Sequence, residues 1–139
     1  MNRTELQQLA QDRILDAKTL LDARRWSGAY YLAGYAVECG LKACILAFVE
    51  KTGAIFKNKK FLEGCWTHEL EKLVITADLQ AELGTTIQAN LAFAGFWGVV
   101  KDWSETSRYE QKGELDARQL YEAITHDPDG VLQWIRSHW

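Results

Sequence analysis

The chain has 139 residues with one proline, ten glycines and three cysteines, 47% hydrophobic and 25% charged residues, and a formal net charge of −3. So little turn chemistry excludes an all-β fold, and the length suits one domain over residues 1–139. The mildly acidic balance offers no whole-chain attraction for double-stranded DNA, and unpaired cysteines behind a polar N-terminus point to a reducing, cytoplasmic setting without export.

From Thr4 to Ala23 the apolar residues Leu6, Leu9, Ala10, Ile14, Ala17, Leu20 and Leu21 recur every three or four positions, the period of one helix face. Thr4 with Gln7 fits a capping box and places the start near Thr4. The next segment, Trp26 to Val49, has Ser27, Glu38 and Lys42 as its only strongly polar residues. It is long enough to span a membrane. Glu38 and Lys42 argue against a span, since each costs about 2.5–3.5 kcal/mol near its middle. A helix that is apolar all round belongs inside a bundle. Its stripe of Ala29, Ala33, Ala36, Gly40, Ala43 and Ala47 lets another helix approach closely, and part of this helix is expected to face a second copy of the chain. The alternative is a helix covered entirely within one chain.

Residues 51–66 read as a loop with a basic cluster at Lys57, Lys59 and Lys60. Thr67 is expected to cap a short helix from His68 to about Ala77. A long helix should follow from about Leu79 to Trp103, with Leu83, Ile87, Leu91, Ala94, Trp97 and Lys101 along its seam. A polar break at 104–113 precedes a helix from Leu115 to Thr125. Asp127-Pro128 then fits the N-cap and first position of a short last helix carrying Val131, Leu132, Ile135 and Trp139. The expected fold is all-α: an antiparallel up-and-down bundle of four to five helices with a short extra C-terminal helix.

Three blocks stand out together: AYYLAGYAVECGLKA in the second helix, THEL about thirty residues later, and WSETSRYE before the last helices. In this combination the chain resembles the HEPN superfamily of small prokaryotic helical bundles over essentially its whole length. Tyr30, Tyr31, Ala36, Glu38, Leu41, Lys42 and Ala43 fall where that family places its aromatic, Ala-x-Glu and Leu-Lys-Ala positions. His68 and Leu70 match its His-x-Leu step, and Arg108-Tyr109 matches its Arg-Tyr-Pro step with Glu110 in place of proline. The resemblance implies a bundle that often dimerises, with a polar cleft at or near the interface. It also implies nucleotide or RNA binding, or metal-independent RNA cleavage in toxin-antitoxin and defence-type systems, or action beside a minimal nucleotidyltransferase.

The cleaving relatives carry an Arg followed by four to six residues and a His, a pair that stabilises phosphate charge and moves a proton. No such pair occurs here. Arg118 and His126 are eight positions apart, which on a helix turns them about 80° from one another and more than two turns along the axis. This argues against an active ribonuclease, and an endoribonuclease would have to use His68 and Arg108 instead.

The candidate ligand residues are Glu38, Lys42, His68, Arg108 and Tyr109. Glu38 and Lys42 are an i, i+4 pair in apolar surroundings, read either as a structural ion pair or as the charged lining of a cleft. His68 can bond the backbone or Glu38, or act as a general acid or base. Arg108 can fork onto a phosphate while Tyr109 stacks on a base, or the two can serve the bundle itself. Arg24-Arg25 beside Trp26 and the lysine cluster beside Phe56 and Phe61 suit single-stranded RNA, or are simply solvated. Trp26, Trp97 and Trp134 fall on apolar seams and are expected in the core. Cys65 and His68 have a C-x-x-H spacing but lack further ligands, so neither metal nor cofactor is expected.

Overall fold

The computed structural model describes residues 1–53 and 59–139. Lys57 and Phe56, named above in a basic aromatic cluster, lie outside the described residues. Among those described, the chain is all-helical, with no strand. Its elements are α1 (Arg3–Asp22), α2 (Trp26–Thr52), α3 (Lys59–Trp66), α4 (Leu70–Thr76), α5 (Gln80–Ala89), α6 (Leu91–Val100), a 3-10 turn (Glu105–Tyr109), α7 (Glu114–Thr125) and α8 (Val131–Arg136).

The start of α1 is set by Asn2, not Thr4. Asn2 Oδ1 accepts from the Glu5 amide at 2.9 Å, and Glu5 Oε2 accepts from the Asn2 amide at 2.8 Å. This is the same reciprocal box two residues earlier. At the other end Arg24 takes a left-handed φ of 59°. The Arg24 amide bonds to Leu21 and the Arg25 amide to Leu20, closing the last turn and reversing the chain into α2. Ala10, Ala17 and Leu21 are the buried residues of α1, and they lie along its length against α2.

α2 is the centre of the fold, packed by α1, α4, α7, α8 and the 3-10 turn. By length and composition it could cross a membrane, yet 61% of its most apolar window is buried inside the chain. The small-residue stripe is what permits this. Ala29, Ala33, Ala36 and Ala43 are at most 1% exposed and Gly40 is buried. The expectation that this stripe faces a second subunit is therefore corrected: its neighbours within the chain already cover it. Gly34 lies flat against the ring of Trp103, where a Cβ would collide with the indole, and a Cβ on Gly40 would sit 2.9 Å from Ile135 Cγ2. At these two sites the missing side chain is what allows such close approach. Gly53 ends the helix in a left-handed conformation, its amide bonded to Val49.

Several boundaries differ from the sequence expectation. Part of the loop after α2 is helical, as α3. The long helix from Leu79 to Trp103 is two helices, because Asn90 has an extended backbone and its side-chain oxygen accepts from the Phe93 amide at 3.1 Å, capping a new start. The break re-aims the seam. Phe93, Trp97 and Val100 turn inward, while Leu91, expected inside, is 87% exposed and Lys101 also faces out. Asp127-Pro128 is a cis peptide in the turn before α8, and the helix begins at Val131 after Gly130 instead. Trp97 and Trp134 are buried as expected, whereas Trp26 is half-buried.

Candidate functional site

A carboxylate on the central helix is the nucleus of the site. Glu38 is 2% exposed, so it needs partners to offset its desolvation. Lys42, one turn on, donates from Nζ to Glu38 Oε1 at 2.8 Å. His68 Nδ1 lies 2.8 Å from the same oxygen, the bond that the sequence allowed. His68 sits in a turn rather than in a helix. Thr67 Oγ1 accepts from the Glu69 amide at 3.2 Å and tightens that turn, so α4 starts at Leu70 with Glu69 as its N-cap, where Thr67 was expected to cap it.

The other ring nitrogen, Nε2, lies 3.2 Å from Glu105 Oε2. Both nitrogens of His68 thus face carboxylates. Glu105 heads the 3-10 turn, which Ser104 opens by accepting from the Thr106 amide at 3.3 Å and in which Ser107 is buried. In a 3-10 helix residues three apart eclipse, so Arg108 rises over Glu105 on one face. Four residues from three segments are joined in this way, Lys42 and Glu38 on α2, His68 before α4 and Glu105 on the 3-10 turn, with Arg108 on the same face as Glu105.

Arg108 has no ion pair with a carboxylate among the described residues. Its guanidinium lies 4.8 Å from the centroid of the Tyr109 ring, and Tyr109 is 78% exposed. The charge is held still more firmly than usual, chiefly by the Tyr109 phenol, with Glu105 and Tyr31 nearby adding to it. Tyr31 belongs to a stack along α2. Its ring is 6.2 Å from that of Tyr35 at 4° and 6.0 Å from that of Trp103 at 29°. Burial, with Cys39 and Glu38 nearby, raises the Tyr35 phenol.

Beside His68 opens a polar cleft of ≈ 470 Å³. Glu69, Glu71, Asp102 and Glu105 face it against Lys101 and His68, so its interior is acidic and repels phosphate. Phosphate chemistry is left to Arg108, outside that lining. Among the described residues no group of three or more His, Cys, Asp or Glu side chains is placed to hold a metal ion.

The remaining basic residues are dispersed. Arg24, Arg25 and Lys112 border a separate recess of ≈ 420 Å³ with Trp26, where Arg118 covers the Trp26 ring at 5.1 Å. Lys59 lies 3.9 Å from Glu63. The sequence reading missed Glu105 and the Tyr31, Tyr35 and Trp103 stack. Glu105 stands three positions before Arg108, a spacing that signals a shared face only once the segment is known to be a 3-10 turn.

Comparison with protein-family models, with curated proteins and with solved structures finds no match for this chain.

Proposed function

We propose that this chain is a HEPN-like, cytoplasmic module that binds a nucleotide or single-stranded RNA at the surface formed by Arg108, Tyr109 and Tyr31. The observation that carries the reading is an exposed guanidinium without a carboxylate ion pair among the described residues, set over the face of the Tyr109 ring. A fork of donors beside π-faces complements a phosphate attached to a base. The Glu38–His68–Glu105 chain, buried at Glu38 and open to solvent at His68 and Glu105, positions that surface by tying the 3-10 turn to α2.

Binding is favoured over cutting. A general acid or base must reach the reacting atoms, yet both nitrogens of His68 are held by carboxylates, and the adjoining cleft is acidic where a phosphodiester would lie. In keeping with the family resemblance, the module would act as a homodimer, with a minimal nucleotidyltransferase as partner in a toxin-antitoxin or defence-type setting. With the small-residue stripe covered, a homodimer would have to use another face.

The test is fluorescence anisotropy of the full chain with a labelled single-stranded RNA and with ATP, followed by electrophoresis of the RNA. Saturable binding, weakened about tenfold in Arg108→Ala with the RNA intact, is the expected result. RNA cleavage abolished by either His68→Ala or Arg108→Ala would establish the endoribonuclease instead. Failure to bind either probe would leave a domain that only pairs proteins.

A further inference from the structure

The recess where α1 turns into α2 differs in charge from the cleft beside His68. It measures ≈ 420 Å³ and is bordered by Arg24, Arg25 and Lys112, with Gln111 beside them and Leu20 and Trp26 as an apolar wall. No carboxylate lines it, whereas Glu69, Glu71, Asp102 and Glu105 line the other cleft. Of these two openings on one chain, only this one concentrates anions.

Its arginines are free to act. Arg3, Arg13 and Arg118 each pair with a carboxylate, but Arg24 and Arg25 are exposed and pair with none among the described residues. Both leave a fixed turn, since the Arg24 amide bonds to Leu21 and the Arg25 amide to Leu20. Lys112 contributes less, because its Nζ lies 3.0 Å from Glu110 and 4.8 Å from the centroid of the Tyr30 ring.

The backbone ties this recess to the Arg108 surface. Ser27 Oγ, at the start of α2, accepts from the Lys112 amide at 2.9 Å, and Lys112 follows Arg108 along the stretch that leads from the 3-10 turn to α7. At no more than about 3.6 Å per residue, the backbone at Lys112 lies within about 14 Å of that at Arg108. A stacked strand advances about 3.4 Å per nucleotide, so about four nucleotides cover even the full distance and offer a phosphate at each step.

We propose that the recess at Arg24, Arg25 and Lys112 is a second phosphate-binding subsite, so that the ligand is a single-stranded RNA of about four nucleotides or more rather than a mononucleotide. This inference rests on the reading of the Arg108 surface given above. The two arginines hold the backbone of the strand and read no bases.

Anisotropy titrations of the full chain with a labelled octanucleotide RNA and with labelled ATP, each over a series of salt concentrations, test this. The octanucleotide is expected to bind at least tenfold more tightly than ATP, and the Arg24→Gln, Arg25→Gln double variant to lose about tenfold of that advantage. The plot of log affinity against log salt concentration for the octanucleotide should become shallower by about 1.4, about 0.7 for each charge removed, a change that a merely structural effect would not produce. Equal weakening of both probes, or an unchanged slope, would overturn the proposal. If Arg108→Ala weakens octanucleotide binding and the double variant does not, the recess is excluded and the Arg108 reading stands. If the double variant weakens it and Arg108→Ala does not, the recess stands as an RNA site and the Arg108 reading falls. An octanucleotide that does not bind the unaltered chain overturns both.

Discussion

The two faces of α2 solve opposite problems. One, from Ala29 through Ala33 and Gly40 to Ala43, is closed by bare backbone and small side chains on which neighbouring elements lie directly. The other buries a carboxylate and must supply it with partners from two other segments, His68 directly and Glu105 through His68. The difference teaches that a dry helix face is held by shape, where any added atom is felt. A buried charge is held by bonds, where the loss of a partner is felt and its surroundings adapt in size more readily.

Trp103→Ala should break the dry face hardest. It removes a ring that is 2% exposed and packed on Gly34, costing about 3–5 kcal/mol in denaturant unfolding. Gly34→Ala attacks the same contact from the other side by overpacking, at about 1–3 kcal/mol. On the charged face, Lys42→Met should cost about 3 kcal/mol, the low end for breaking a buried pair, because His68 still serves the same oxygen. A loss no larger than that of an exposed lysine would show that the carboxylate is not buried as described.

The dry-face prediction bears on what the sequence could reveal. The small stripe was legible, but its partner was not. Spacing shows that Ala33, Ala36 and Gly40 permit close approach; it does not say whether the approaching element belongs to the same chain. Trp103 and Ile135 reach α2 from 69 and 95 residues past Gly34 and Gly40, separations that local periodicity does not register. The helix break at Asn90 escaped for a related reason: apolar residues continue at helical spacing on both sides, and the cap depends on one asparagine oxygen. Glu38, Lys42, His68 and Arg108 were legible as chemistry in unusual surroundings. Glu105 was not, since a glutamate in a polar segment looks solvated until the turn folds.

Smaller effects sharpen the contrast further. Burial pushes the Cys44 thiol up to about 12, and burial with Glu38 nearby pushes Cys39 to about 11, from the ordinary 9.0. The folded state thus retains thiol protons that the unfolded state releases. These two groups leave stability unchanged below about pH 9 and lower it as pH rises from there toward 11–12. Alkaline unfolding that begins earlier when Cys39 and Cys44 are intact than in the Cys39→Ala, Cys44→Ala variant would confirm the sign. Arg108→Ala, at an exposed side chain, should leave unfolding essentially unchanged while weakening the RNA or nucleotide binding proposed for it. A large stability loss there would mean that Arg108 serves the fold.

The claim on which the site depends is that Glu38 and His68 are bonded, because that bond, continued from His68 to Glu105, joins α2 to the turn bearing Arg108. A double-mutant cycle of Glu38→Gln and His68→Gln, read by urea unfolding, measures it directly. The account predicts a coupling of about 1.5–3 kcal/mol, the range for a hydrogen bond to a charged group. Losses that add to within about 0.3 kcal/mol would show the two residues to be independent and would contradict it.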